Sequence, residues 1–98
     1  MARGAAGPFR SEQYGADSTI TTKPAWLWSY TVSNTSGGPI TLTLYDNAAG
    51  DTTNPIETCV VPNNQTQAVY PNGDTLAGLV VKVASWSGVK FGVRWAPR

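Results

Sequence analysis

The sequence predicts an all-β protein: a single antiparallel β-sandwich of six to seven strands with an extended N-terminal arm. Three observations support this fold class. Thr, Ser, Asn, Gly and Pro supply 42 of the 98 residues, a composition typical of β-chains with many turns. Apolar and polar side chains alternate with a period of two in several segments. Turn residues separate these segments at spacings of about ten residues, as in a sandwich or barrel.

A chain of 98 residues has room for one domain. We expect the sandwich to span residues 18–98 and the arm to span residues 1–17. The arm is rich in Gly and Ala and has neither a helical nor a strand period. A disordered tail is one interpretation, since chain ends commonly lack order; the other is an arm held by its own sheet edge or by a neighbouring subunit.

The clearest strand covers residues 25–33. A strict period of two predicts that Trp26, Trp28, Tyr30 and Val32 share one face of it. The turn cluster at residues 34–39 leads into a second strand, so these two are expected to pair antiparallel through the intervening loop. The further strands predicted are 40–45, 56–61, 65–70, 79–83 and 89–95, with a possible short one at 18–22.

The last two strands are predicted to form a hairpin. Residues 79–83 are apolar on both sides, which favours a central position in a sheet. Residues 89–95 alternate cleanly between apolar and polar side chains. Because periodicity does not specify strand order, the sandwich could be a jelly roll or immunoglobulin-like.

Charge and composition exclude several functions. Seven Lys and Arg against six Asp and Glu give a net charge of +1, too weak to indicate nucleic acid or a membrane surface as partner. Lys82, Lys90 and Arg94 could share a sheet face, but three charges are a weak phosphate footprint. With no histidine and one cysteine, Cys59, the chain offers no intrachain disulfide, Cys/His zinc site or imidazole catalysis.

No pattern in the sequence indicates an enzyme, a cofactor or a metal site. Asp46, Asp51 and Asp74 fall in predicted loops, and their spacing does not fit a calcium-binding loop. Cys59 is expected to be a small buried residue, because no histidine can activate its thiol. The N-terminus has no signal-peptide core, and no segment reaches the ~20 apolar residues of a membrane span. Synthesis in the cytoplasm is expected.

The tryptophans allow three interpretations. Trp26, Trp28 and Tyr30 give one strand more ring volume than a small sandwich usually hides, so part of that face is expected to contact a protein partner. Alternatively, all these rings and Trp95 belong to the core. A carbohydrate-binding module that uses Trp26, Trp28 or Trp86 as a stacking platform is the third interpretation. The residues predicted at a protein interface are Arg3, Phe9, Arg10, Tyr14, Trp26, Trp28 and Trp86.

Several short motifs, in this order, resemble the small β-sandwich structural proteins of tailed-bacteriophage virions. They lie between Ala25 and Trp95. The motifs are TVSNTSGG at 31–38, TLTLYD at 41–46, VPN at 61–63, GLVVKV at 78–83 and VRW at 93–95.

The resemblance implies a virion structural component, most specifically a capsid decoration or cement protein on the outer surface of the head. Its partner would be the major capsid protein, in many copies, with self-association into dimers or trimers on the capsid as an open point. The family provides no catalytic residue to transfer. A tail, fibre or head-tail connector component is the alternative within the virion.

Overall fold

Residues 9–98, the part of the chain that the computed structural model describes, form nine strands and no helix. The strands are β1 (Arg10–Tyr14), β2 (Ser18–Thr21), β3 (Ala25–Asn34), β4 (Ile40–Tyr45), β5 (Pro55–Val61), β6 (Gln65–Val69), β7 (Gly73–Asp74), β8 (Leu79–Val83) and β9 (Val89–Pro97).

The strands make two antiparallel sheets that pack face to face, which confirms the all-β sandwich. Sheet A has the order β1-β9-β3-β6, with β7 also paired to β3, and sheet B has the order β2-β8-β4-β5. The chain changes sheet at six of its eight connections and stays in one sheet only between β4 and β5 and between β6 and β7. Neighbouring strands are therefore seldom consecutive in sequence.

Alternation along the strands builds the core between the sheets. The rings of Tyr30 and Phe91 meet with their centroids 5.9 Å apart, and both residues are 1% exposed. The Tyr30 hydroxyl donates a 3.1 Å hydrogen bond to Glu57 of sheet B, which joins the two layers. Burial, followed by the negative charge of Glu57, raises the pKa of Tyr30 far above its ordinary value. Other large core side chains include Leu27, Val32, Leu42, Leu44, Val61, Leu79, Val81, Val93 and Trp95.

The strand count of six to seven was wrong because two short strands lack a periodic signal. β1 lies in the segment predicted as an arm, and its only aromatic side chain, Tyr14, packs against the core. β7 is two residues long and continues the edge of sheet A along β3 at Trp26 and Leu27. A two-residue strand cannot display a period, and the five residues of β1 are polar except for Tyr14, so they show no apolar alternation.

Both predicted hairpins were also wrong. β3 belongs to sheet A and β4 to sheet B, and β8 and β9 are divided in the same way. Their turns reverse the chain as expected, but the returning strand enters the facing sheet. Turn residues specify a reversal and not which layer receives the next strand. The central position expected for residues 79–83 is present, since β8 lies between β2 and β4.

The arm was predicted to span residues 1–17. Its described part, residues 9–17, lies on the sandwich. β1 pairs with β9 over five residues, from Arg10 opposite Trp95 to Tyr14 opposite Phe91. Glu12 accepts hydrogen bonds from the Tyr14 hydroxyl at 2.7 Å and from the Trp95 indole nitrogen at 2.8 Å. The sheet edge, one of the anchors considered for the arm, therefore holds residues 10–14.

Asn34 closes the end of the sandwich where several connections cross between the sheets. Its side-chain nitrogen donates to the carbonyls of Gly38 at 2.7 Å and Val61 at 2.9 Å, and its oxygen accepts from the amide of Ser36. Gly88 of a third connection approaches the Ser36 backbone so closely that an added Cβ would lie 2.9 Å from it. Gly88 also has a φ of +73°, which glycine adopts at low cost.

Removing residues 1–17 is expected to destabilise the sandwich, whereas removing residues 1–8 leaves every described contact in place. The longer truncation exposes one side of Trp95 and Phe91 and leaves the buried Trp95 indole without its acceptor. We expect it to lower the free energy of unfolding by about 2–4 kcal/mol relative to the shorter one. Urea unfolding followed by tryptophan fluorescence measures the difference. Equal midpoints for the two truncations would contradict the assignment of β1 to the sheet.

Asn34→Ala is expected to cost about 2–4 kcal/mol, because it leaves the carbonyls of Gly38 and Val61 and the amide of Ser36 without their partner. Asn63→Ala is the matched control: Asn63 accepts one exposed hydrogen bond, from the amide of Gly37, so its loss should stay below about 1 kcal/mol. Thermal unfolding followed by circular dichroism compares the two variants. The Asn34 interpretation fails if both unfold together.

Candidate protein-interaction surface

On the outer face of sheet A, polar side chains of β1 and β3 flank the internal strand β9. Alternation along β9 turns Lys90, Gly92 and Arg94 outward and the residues between them into the core. Gly92 lies opposite Gln13 of β1 and Thr31 of β3. Because glycine has no side chain to fill this position, a furrow of about 450 Å³ runs over it.

Hydroxyl groups flank both outward cations. Ser11 of β1 and Ser29 of β3 lie opposite Arg94, and Ser33 lies opposite Lys90. None of these outward positions of β1, β3 and β9 carries a carboxylate. The face therefore combines positive charge with hydrogen-bonding groups.

A β-bulge in β3 changes the direction of the tryptophans. Leu27 lies opposite Trp95 and Ser29 lies opposite Arg94, so Trp28 is an extra residue between two consecutive partners. The extra residue interrupts the period of two. Trp26 is half-buried and Trp28 is 38% exposed, whereas Tyr30 and Val32 are in the core. The prediction that all four side chains share one face was therefore wrong.

Trp28, Phe9 and Arg94 form an aromatic cluster at one end of the outer face of sheet A. The Phe9 and Trp28 rings meet edge to face, with centroids 5.4 Å apart and an interplanar angle of 68°. The Arg94 guanidinium carbon lies 5.5 Å from the centroid of the Phe9 ring, within cation–π range. Trp26 lies two residues before Trp28 on the same strand, opposite Ala96.

Arg10 and Tyr14 hold β1 to the sheet. The Arg10 guanidinium carbon is 5.0 Å from the centroid of Trp95. The Tyr14 ring packs against Phe91 with centroids 6.4 Å apart. Burial, and then the hydrogen bond to Glu12, raise the pKa of Tyr14 to about 12. Arg3, also predicted at the interface, lies outside the described residues.

Trp86 does not join Trp26 and Trp28. Its ring is half-buried and packs against the core, and its indole nitrogen donates a 2.7 Å hydrogen bond to Asp17. The same carboxylate oxygen accepts from the amide of Val83 in sheet B. The three tryptophans considered as a sugar platform are therefore not brought together.

The predicted interface residues did not include several outward side chains of this face, among them Gln13, Thr31, Lys90 and Arg94. The alternation of residues 89–95 already indicates that Lys90 and Arg94 share a side. It does not indicate that β1 and β3 flank them, because strand pairing is not encoded in periodicity. Lys82 lies opposite Thr43 in sheet B and so does not share a face with the other two cations.

The three Asp side chains predicted in loops all form contacts within the molecule, but Asp74 lies in strand β7 and not in a loop. Asp46 accepts hydrogen bonds from the amides of Leu76 at 2.9 Å, Ala77 at 2.9 Å and Gly78 at 3.2 Å. Asp51 accepts from the amide and hydroxyl of Thr53, and Asp74 lies 3.7 Å from Arg98. Within residues 9–98 no three His, Cys, Asp or Glu side chains form a group that could hold a metal ion.

Burial and hydrogen bonding oppose each other at Asp46. Partial burial acts to raise the pKa of its carboxyl, but the three amide donors, with Arg98 nearby, outweigh burial and hold the pKa below its ordinary value.

Burial, and then the charge of Glu57, raise the pKa of the Cys59 thiol. Cys59 as a whole is 9% exposed and belongs to the core, as predicted.

No helix among residues 9–98 is long and apolar enough to cross a membrane. Compared with known protein families, the chain matches none, and no curated protein is significantly similar to it.

Asp46→Asn is expected to destabilise the protein at neutral pH by about 1–2 kcal/mol, because an amide cannot accept all three backbone hydrogen bonds as a carboxylate does. The pKa of Asp46 is lower in the folded state, so its contribution is complete above the ordinary Asp value of about 4 and is lost as pH falls through the folded-state pKa. The stability difference between wild type and variant should therefore shrink as the pH falls from the ordinary Asp value through the folded-state pKa. Urea unfolding at a series of pH values tests this; a difference that is constant with pH contradicts it.

Proposed function

We propose that the protein is a structural component of a tailed-phage virion: a capsid decoration protein that binds the outer head surface and bridges capsid subunits. The observation that carries the proposal is the outer face of sheet A, where the aromatic cluster of Phe9, Trp28 and Arg94 lies beside the polar side chains of β1, β3 and β9. Aromatic residues and arginine concentrate at the energetic centres of protein interfaces. The motifs that resemble virion proteins agree with this use of the chain.

We also propose that the sandwich is a jelly roll. The chain passes from sheet A to sheet B between β1 and β2 and returns between β2 and β3, whereas the first two strands of an immunoglobulin sandwich share a sheet. Two four-stranded layers, β1-β9-β3-β6 and β2-β8-β4-β5, support the jelly-roll order. That architecture occurs in viral capsid proteins and also in lectins.

The proposed mechanism is thermodynamic. A decoration protein that contacts two neighbouring capsid subunits gains its full set of contacts only on the assembled shell. Its binding then stabilises the closed lattice by mass action. Contacts made by one molecule to two subunits reinforce each other through effective concentration.

Two alternatives make different predictions. A tail, fibre or connector component would be found on the tail and would self-associate in isolation, most simply as a trimer. A carbohydrate-binding module would need an open ring face; Trp28 offers only a partly exposed ring that already meets Phe9, so protein contact is the better supported function.

Trp28→Ala is expected to weaken binding to capsids that lack the protein by about tenfold or more, because it removes a large aromatic contact from the proposed interface. The fold should persist, since this side chain lies outside the core. Cosedimentation of the purified chain with such capsids measures binding, and electron microscopy locates the bound protein.

Val60→Ala is the control for that variant. Val60 is a large exposed apolar residue, 58% exposed, on the outer side of sheet B. It should bind like wild type. Wild-type protein that does not bind the head, or binds only the tail, would disprove the decoration function; equal losses in both variants would move the contact away from sheet A.

A further inference from the structure

All six carboxylate side chains of the chain are used inside the molecule. Asp46 accepts hydrogen bonds from the connection between β7 and β8, Asp51 accepts them from Thr53 in its own loop, and Asp74 pairs with Arg98. Glu12 accepts from Tyr14 and Trp95, Asp17 from Val83 and Trp86, and Glu57 from Tyr30. None of them lies at an outward position of β1, β3 or β9, so no neighbouring carboxylate neutralises a cation there.

Among residues 9–98, Lys90 and Arg94 are the cations that face outward from β9, and neither forms an ion pair with another of these residues. Both side chains are exposed and lie on the same side of β9. Four residues along a strand span about 13 Å, so the two charges are well separated and act at two points. The Phe9 ring beside the Arg94 guanidinium limits where that side chain can point.

The neutral polar groups around the two cations can also bind a negatively charged partner. Ser11, Ser29 and Ser33 lie opposite the cations, and Gln13 and Thr31 line the furrow over Gly92. Hydroxyl and amide groups can donate to carboxylate oxygens. The backbone of β9 is already paired on both sides, with β1 and β3, so a ligand here must be recognised by side chains and not by strand addition.

We propose that the outer face of sheet A binds an acidic surface of the capsid protein, with carboxylates of the partner pairing with Lys90 and Arg94 across the furrow. This inference rests on the proposed function and adds to it the chemistry of the partner. Two cations on a chain of net charge +1 are too few for a nucleic-acid site. They are enough to orient a protein surface, because complementary charges at an interface determine orientation and partner choice.

The test is charge reversal on the intact chain. Lys90→Glu and Arg94→Glu are each expected to weaken binding to undecorated capsids by about tenfold or more, and the double variant to abolish it, since like charges then face each other. Lys23→Glu is the matched control: Lys23 is exposed in the turn between β2 and β3 and should bind within about twofold of wild type. Wild-type binding should weaken from 50 to about 300 mM NaCl, because salt screens exposed charges.

Each result has one meaning. If wild type fails to bind the head, the decoration function is wrong and the acidic partner with it. If wild type binds and the two reversals bind equally well, the function stands and the acidic partner is wrong. Equal weakening by Lys23→Glu would show a general charge effect and would also overturn the site. Circular dichroism checks the fold, and Lys90→Gln with Arg94→Gln, which add no charge, repeat the test should either reversal unfold the chain.

Discussion

The buried side chain of Asn34 is the interaction on which the architecture most depends. It lies at the end of β3, where the chain leaves sheet A, and it binds the connection it enters and the end of β5 in sheet B. The amide of Thr35 donates to the carbonyl of Gly88 in the connection between β8 and β9, and the amide of Asn64 donates to the carbonyl of Asn34. Three crossings between the sheets thus share one network, and an unsatisfied polar group there would be costly.

The edge of sheet A formed by β1 connects the fold to the interaction surface. Glu12 holds β1 to the sheet through the Trp95 indole, and β1 in turn brings Phe9 to Trp28 and Arg94. The bulge at Trp28 completes this arrangement, because it turns the ring away from the core while Tyr30 remains inside. One extra residue in a strand therefore gives the sandwich both a well-packed interior and an aromatic contact on its surface.

The sequence shows where most strands lie because a period of two is a local property. Six of the predicted segments correspond to β3, β4, β5, β6, β8 and β9, and the short strand at 18–22 corresponds to β2. Pairing is not local: the reversals at 34–39 and 84–88 do not indicate which sheet receives the next strand. A bulge also cannot be recognised from the sequence. Trp28 fits the period of two along its own strand, and only the pairing with β9 shows that it is an extra residue. Phe9, Trp26 and Trp28 were nonetheless identified as surface candidates, whereas Lys90 and Arg94 gained significance only from their neighbours.

The net charge of +1 conceals the electrostatic asymmetry of the molecule. A small net charge argues against long-range attraction of polyanions, but it does not describe how charge is distributed. Here the negative groups satisfy amides, indoles and hydroxyls within the fold, as the bonds of Asp46, Asp17 and Glu57 illustrate. Lys90 and Arg94 of β9 form no ion pair with the described residues, and their side chains are exposed at the surface. A nearly neutral chain can therefore present a locally basic face, because its internal hydrogen bonds hold the carboxylates at positions away from the outward side of β9.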